Sequence, residues 1–168
     1  GPALVERAMG KKLTKEELGG SRVHLRSGVV DNAVDDEQAV FELIRRFLSY
    51  LPAHSGELPP RVNTELDDPQ RCEEDLLDII PRNRRKIYAM RRLLELVVDR
   101  DSLFEMTTHY GRSQITALAR LGGHSVAIWA NDPKFYAGSI DAEGAQKVTR
   151  FLRLCETFHL PVIAFVDE

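Results

Sequence analysis

Only two cysteines, Cys72 and Cys155, occur among the 168 residues. They are too few for a disulfide framework, and they lack metal-ligand spacing. No apolar run approaches the ~18 residues that a membrane-spanning helix needs, so no membrane span is expected. Charge is nearly balanced: 23 Lys and Arg against 26 Asp and Glu give a net charge of −3. That balance provides no electrostatic reason to expect nucleic acid or an anionic membrane as partner. His24, His54, His109, His124 and His159 show no i, i+4 pairing on one helix, so surface or core roles are expected rather than metal binding. No Ser-His-Asp arrangement, phosphate loop or dinucleotide glycine pattern occurs. The N-terminus has no basic region followed by an apolar core; no leader is expected, and cytoplasm is the default. With 43% apolar and 29% charged residues, the composition is that of a soluble globular domain with a sizeable core.

What is present is concentrated between Ile115 and Glu168. Ile115, Ala117, Ala119 and Leu121 share one face of an extended chain. Ser125 to Ala130 is a near-continuous apolar run, the pattern of a strand covered on both faces. Gly122 and Gly123 between them supply the positive φ of a tight hairpin turn. Asp141 is placed to cap a helix, whose apolar positions are Ala145, Val148, Phe151, Leu152, Cys155 and Phe158. On this stripe Cys155 reads as core. Pro161 ends the helix, and Val162 to Val166 reads as a further buried strand. The unit is strand, strand, helix, strand.

Upstream, Pro2 suits the first turn of a helix over Ala3 to Met9 that stops at Gly10. Thr14 and Glu17 form a capping box for a short helix ending at Gly19-Gly20. Ser21 to Val34 has no sustained period and reads as loop with at most one short strand. Asp35 to Leu51 is a helix with Asp35 as its cap and a stripe of Val40, Leu43, Ile44, Phe47, Leu48 and Leu51. Ala53 to Pro69 is proline-rich and poor in large apolar residues, hence a linker. Glu73 to Ile80 offers a helical turn or two, and its acidic residues Glu73, Glu74 and Asp75 read as solvated. Lys86 to Val98 is another helix, with Ile87, Met90, Leu93, Leu94 and Val97 on one face. Arg82, Arg84, Arg85, Lys86, Arg91 and Arg92 make this segment basic, either as a solvated face or as a phosphate- or partner-facing patch. Leu103 to Thr107 is a short strand, and His109 to Arg112 a turn. Trp129 reads as core.

The ordered motifs resemble the carboxyltransferase (β) subunits of biotin-dependent acyl-CoA carboxylases, of the propionyl-CoA, acetyl-CoA and methylmalonyl-CoA type. The resemblance rests on Gln114-Ile115-Thr116-Ala117-Leu118-Ala119-Arg120, Ala130-Asn131-Asp132-Pro133, Gly138-Ser139-Ile140-Asp141, Lys147 with Arg150-Phe151, and Leu160 to Asp167. Glu17 to Gly20, His24, Ser27-Gly28-Val29, Leu48 to Pro52 and Pro59-Pro60 match upstream in the same order. Gly1-Pro2, otherwise readable as a protease-site remnant, matches a strand-to-helix opening in that family. The resemblance implies a partial α/β fold of crotonase-like (ClpP/crotonase) type, with ββα units stacked into a superhelix. Residues 1–52 would be the tail of the N-terminal half-domain, 53–70 the linker, and 71–168 the start of the C-terminal half.

The resemblance also implies a chemistry. A carboxyl group passes from carboxybiotin, held on a carrier domain and not attached to this chain, to the α-carbon of a short acyl-CoA; no metal is involved. Loss of the α-proton puts negative charge on the thioester oxygen, and one backbone N–H donor to such an oxygen is typically worth ~3–4 kcal/mol of barrier. Such donors need bare backbone near the substrate, which favours Gly and Ala. Phe135-Tyr136-Ala137-Gly138-Ser139-Ile140-Asp141 resembles the oxyanion loop of the crotonase superfamily and makes the N–H of Ala137, with that of Gly138, the candidate donors; read without the family, it is a Gly-containing loop entering a helix. Lys147 and Arg150 are either candidates for acyl-CoA phosphates or exposed helical cations. The implied partners are a biotin carboxylase/biotin carboxyl carrier subunit and further copies of the chain in a dimer-based hexamer. The family's Pro-Gly-Phe segment and Gly-rich loops are absent, so the chain is expected to be a fragment, inactive alone. Rival readings are the carboxyltransferase subunit of a sodium-pumping acyl-CoA decarboxylase and a non-catalytic crotonase-like assembly module. An enoyl-CoA hydratase fits less well, because no glutamate pair stands in the expected place.

Overall fold

The computed structural model describes residues 1–63, 67–83 and 86–167. Residues 64–66 of the expected linker, Arg84 and Arg85 of the basic segment, and Glu168 lie outside the described residues. In chain order the elements are α1 (Pro2–Met9), α2 (Lys15–Gly19), α3 (Ser21–Arg26), α4 (Glu37–Leu48), α5 (Leu76–Ile79), α6 (Met90–Val97), β1 (Phe104–Met106), β2 (Gln114–Leu121), β3 (His124–Asn131), α7 (Ala142–Thr157) and β4 (Val162–Phe165). A single 3-10 turn, Tyr136–Gly138, lies between β3 and α7.

The strands form one sheet in the order β1-β2-β3-β4. The first three are antiparallel neighbours, and β4 runs parallel to β3. A parallel pair needs a crossover, and α7 provides it. β2 and β3 pair from Gln114 opposite Asn131 to Leu121 opposite His124. Their turn holds Gly122 at φ 56° and Gly123 at φ 79°, as a two-residue hairpin with the right twist requires. The Asp99 carboxylate accepts the N–H groups of both glycines, at 2.8 and 2.7 Å.

Both faces of the hairpin are covered, which explains its unbroken apolar run. On one side Ile115, Ala117 and Ala119 meet Val126, Ile128 and Ala130, under Met90, Leu94 and Val98 of the α6 region. On the other, Leu118 and Ala127 pack with Tyr50, Phe104, Phe151, Cys155 and Leu160. Large apolar side chains buried in this way contribute about 1.5–3 kcal/mol each. Tyr50 and Leu51 belong to this second cluster, so residues before 53 are built into the core of the sheet that follows. Arg46 and Arg120 extend the join, donating respectively to the Leu103 carbonyl (2.8 Å) and the Ser49 carbonyl (2.8 Å).

Several local expectations hold and several shift. α1 ends at Gly10 with φ 67°, and Thr14 with Glu17 forms a reciprocal capping box. Ser21–Arg26, expected as loop, is helical. None of its residues is buried, so no apolar stripe marks it. It ends where Gly28 takes φ 73° and the Val29 N–H returns to the His24 carbonyl at 3.1 Å, a Schellman-type stop. Asp36, not Asp35, caps α4. The apolar stripe of α4 is only half covered: Leu43 and Phe47 pack inward while Val40, Ile44 and Leu48 are exposed. α6 starts at Met90 rather than Lys86, because Ala89 is extended. The acidic run is not simply solvated, since Glu73 takes Arg71 (3.0 Å) and Arg100 (3.3 Å) and Asp75 takes Arg92 (3.0 Å). Within the expected linker, Pro60 to Val62 lie along the hairpin end, with the Val62 N–H donating to the Gly123 carbonyl at 3.0 Å.

Candidate active site

The loop from Asp132 to Asp141 leaves the end of β3 and enters α7. It is tied at its start: the Asp132 carbonyl accepts the Phe135 N–H at 3.0 Å and its carboxylate the Lys134 N–H at 3.1 Å. The guanidinium of Arg112 lies 4.1 Å from the centroid of the Phe135 ring. At its far end Asp141 caps α7, accepting the Gly144 N–H at 2.9 Å and the Ser113 hydroxyl at 2.7 Å. These two bonds hold the Asp141 carboxyl below its ordinary range, the Ser113 bond most strongly.

Between these ties the backbone turns left-handed for three residues. Tyr136, Ala137 and Gly138 have φ of 51°, 52° and 81°. Glycine takes this conformation freely, but Tyr and Ala do so at about 1–2 kcal/mol each. Strain of this kind concentrates at functional sites. The Gly138 N–H is not open to a ligand, because it donates to the Phe135 carbonyl at 2.9 Å. The Ala137 N–H makes no hydrogen bond among the described residues, and Ala137 is exposed. Of the two candidate donors, only Ala137 presents an unengaged N–H. Tyr136 beside it is 71% exposed.

The Gly138 carbonyl is gripped from below. Asn131 Nδ2 donates to it at 2.6 Å and Gln114 Nε2 at 3.4 Å. Asn131 and Gln114 are cross-strand partners at the end of the hairpin. Gln114 is fully buried; its Oε1 accepts the Trp129 indole N–H at 2.8 Å. Both residues stood within the motifs of the family resemblance, yet neither was assigned a role. Polar residues closing an otherwise apolar strand pair were the available signal.

Lys147 and Arg150 are not free surface cations. Lys147 is 3% exposed, with Nζ donating to the Gln114 carbonyl at 2.7 Å. Burial pushes its pKa down to about 8, against the opposing pull of the Glu105 charge. Arg150 binds the Gly28 carbonyl and Asp31, tying α7 to the segment after α3. Its guanidinium is engaged within the fold. Nearby, Arg91 chelates Glu105 through two bonds of 2.7 Å and also contacts Asp132, whose side chain is 1% exposed. The bonds to Glu105, ahead of the cost of burial, raise the Arg91 pKa further above its usual value. Lys147 and Arg91 therefore serve inside the fold, Arg150 is exposed but paired, and Arg92 pairs with Asp75 and Glu95. No group of three or more metal-ligating side chains occurs among the described residues, and no helix among them is long and apolar enough to cross a membrane. A polar cleft of about 540 Å³ lies away from this loop, lined by Arg46, Arg71, Arg92 and Arg100 with Glu73, Glu95, Asp99 and Asp101. Its charges balance within the cleft.

The sequence and the fold both have relatives. The family model for the carboxyl transferase domain matches residues 1–168. The carboxyltransferase subunit of propionyl-CoA carboxylase from Haloferax mediterranei is 39% identical over 168 residues, covering 99% of this chain and 32% of the relative. The methylmalonyl-CoA decarboxylase subunit alpha of Veillonella parvula is 38% identical over 168 residues, covering 99% and 33%. Among solved structures, the transcarboxylase 12S hexamer with methylmalonyl-CoA and methylmalonic acid bound superposes with a TM-score of 0.90 at 30% identity, over 99% of this chain and 32% of that one. The chain thus spans about a third of the length of these relatives. The mixed α/β architecture matches a part of the 12S core, and the chain belongs to the carboxyl transferase domain family.

Proposed function

We propose that this chain is part of the carboxyltransferase component of a biotin-dependent acyl-CoA carboxylase. On this reading the carboxyl group moves from carboxybiotin to the α-carbon of a short acyl-CoA, propionyl-CoA or acetyl-CoA, and the Ala137 N–H stabilises oxyanion charge. The observation that carries it is that N–H, unengaged and exposed, in a strained left-handed run. A donor of this kind suits an oxygen that is only weakly charged in the ground state and more so in the transition state, because it is fixed beforehand and needs no reorganisation. Bound biotin supplies the carboxyl group and an acceptor for the α-proton. The chain's own residues then need only orient the thioester and receive charge. The loss of one such donor lowers kcat by about 10²–10³.

The 38% identity to a decarboxylase subunit supports the reverse direction of transfer as the second reading. Residues 1–52 would be the tail of one crotonase-like half-domain, 53–70 its linker and 71–168 the start of the next. The partners on this reading are a biotin carboxylase/carrier subunit and further copies of the chain in a hexamer. Lys147 and Arg150 carry no proposed role toward acyl-CoA phosphates, since both are engaged within the fold.

The test is carboxyl transfer from methylmalonyl-CoA or malonyl-CoA to biocytin, measured with the complete polypeptide that carries these residues. Transfer above the uncatalysed rate is expected, and the 19.0 kDa chain alone is expected to give none. A complete, folded polypeptide that binds acyl-CoA but transfers nothing in either direction would overturn the catalytic reading in favour of an assembly module.

A further inference from the structure

A backbone donor is only as good as its aim. The Ala137 N–H shares its peptide plane with the Tyr136 carbonyl, which accepts the Ser139 N–H at 3.1 Å, and that N–H shares its own plane with the Gly138 carbonyl. Left to itself, a Tyr-Ala pair relaxes to negative φ. Two side-chain amides oppose that relaxation at one atom. Asn131 Nδ2 and Gln114 Nε2 both donate to the Gly138 carbonyl, at 2.6 and 3.4 Å. Each amide is itself held at its other end. Gln114 Oε1 takes the Trp129 indole N–H at 2.8 Å, and its second amide proton goes to the Ser113 carbonyl at 2.9 Å. Asn131 Oδ1 accepts the Asp167 N–H at 3.4 Å, just past β4. A Cβ at position 138 would stand 3.2 Å from Asn131 Cβ, so glycine there also permits the close approach.

We propose that Asn131 and Gln114 are positioning residues that fix the direction of the Ala137 N–H by clamping the Gly138 carbonyl. This inference rests on the oxyanion reading above. The clamp closes the end of the β2–β3 ladder, so the rigid hairpin sets the loop geometry.

The experiment uses the complete polypeptide and the biocytin transfer assay. Asn131→Asp and Gln114→Glu replace a donor with an acceptor of the same shape facing the Gly138 carbonyl; Asn131→Ser is the milder variant if either fails to fold. The loss of aim is expected to lower kcat by about 10–100-fold, in line with the cost of small misplacements, with KM changed less than about twofold. The midpoint of thermal unfolding is recorded for each folded variant. A loss confined to stability, with kcat unchanged, overturns the proposal, because a merely structural role moves the midpoint and leaves the kcat-to-KM split alone. In parallel, an α-hydroxy acid introduced at position 137 by nonsense suppression removes that N–H and weakens the Tyr136 carbonyl as acceptor of the Ser139 N–H; the same substitution at position 139, which removes the Ser139 N–H alone, is the control. If the ester at position 137 lowers kcat by about 10²–10³ beyond the control while Asn131→Asp and Gln114→Glu keep it, the clamp fails and the oxyanion reading stands. If the ester at position 137 leaves kcat no lower than the control does, the oxyanion reading fails and the clamp proposal falls with it.

Discussion

Lys147 offers the sharpest physical test of the fold. Its ammonium is 3% exposed and bonded to the Gln114 carbonyl at 2.7 Å. Burial lowers its pKa from 10.5 to about 8, which corresponds to about 3 kcal/mol of cost carried by the charged form. At pH 7 lysine is protonated in both the folded and the unfolded chain, so that cost is fully present. As pH rises, the folded chain releases its proton near 8 and the unfolded chain only near 10.5. Between these values the unfolded state binds more protons, so stability rises with pH. Lys147→Met keeps the length and removes the titration, but it leaves the Gln114 carbonyl without its donor at about 1–3 kcal/mol. The two effects nearly offset at pH 7, where the variant is expected to equal the parent or exceed it by at most about 2 kcal/mol. At pH 10 less than about 1 kcal/mol of that cost persists, because the unfolded lysine is still partly protonated, so the lost bond outweighs it and the parent is the more stable. The assay is urea unfolding at pH 7 and pH 10, followed by fluorescence of Trp129, the chain's single tryptophan. The parent-minus-variant difference is expected to move by about 2–3 kcal/mol between the two pH values. A difference constant to within about 0.5 kcal/mol would refute a buried, charged Lys147.

Gly144→Ala in α7 would gain about 1 kcal/mol in an ordinary helix, but here its Cβ would stand 2.6 Å from Ser113 Oγ and 2.8 Å from Asp141 Oδ1; denaturant titration is expected to show a net loss of about 1–3 kcal/mol. Arg91→Ala leaves Asp132 buried without its cation and is expected to cost about 3–5 kcal/mol in the same measurement, with Arg91→Lys recovering only part. Asp141→Ala should flatten the acid limb of the stability curve. The carboxyl's pKa lies below its ordinary value, so its contribution is present above the ordinary carboxylate range and lost as pH falls through the lowered folded value. Of the two thiols, exposed Cys72 is expected to react with a disulfide reagent at once. Cys155 is buried, with burial pushing its pKa up to about 11, and should react only on unfolding; one fast thiol that Cys72→Ser abolishes is the expected result.

The hairpin core was legible because its signals are local or continuous, whereas Val162 to Val166, expected as a buried strand, lies at the sheet edge with Val162 and Val166 exposed. The hairpin announces itself by an apolar run covered on both faces and a Gly-Gly turn. Asp141, Thr14 with Glu17, and Gly10 act within one helical turn of themselves, so their caps read correctly. What escaped notice lacked either property. α3 has no buried side chain to create a period. The inward face of α7 follows its expected stripe at Val148, Phe151 and Cys155, but at the N-terminal end Ala145 is exposed while Gly144 and Lys147 are buried. The cause is tertiary, for the missing side chain at Gly144 lets the helix close on Ser113 and Gln114 and turns Lys147 inward. A lysine in a helix reads as exposed, and nothing in the sequence near it says that a strand carbonyl awaits its amine. The candidate loop was visible through its glycine and its family resemblance, but positive φ at Tyr136 and Ala137 was not, since such residues seldom adopt it.

Strain and support at the loop come from different distances along the chain. The three left-handed residues are consecutive, whereas the groups that hold them come from both hairpin strands, with Asn131 braced by the backbone after β4 and Gln114 by Trp129. A loop held in this way cannot form before the hairpin has closed its register, because a slip of one residue would move Gln114 and Asn131 to the opposite face. The same register buries Ile115 and Ala130 as partners. The aim of one backbone N–H is therefore tied to the packing of the core. On the oxyanion reading proposed above, substitutions that loosen the hairpin end should lower transfer through geometry even where they touch no ligand.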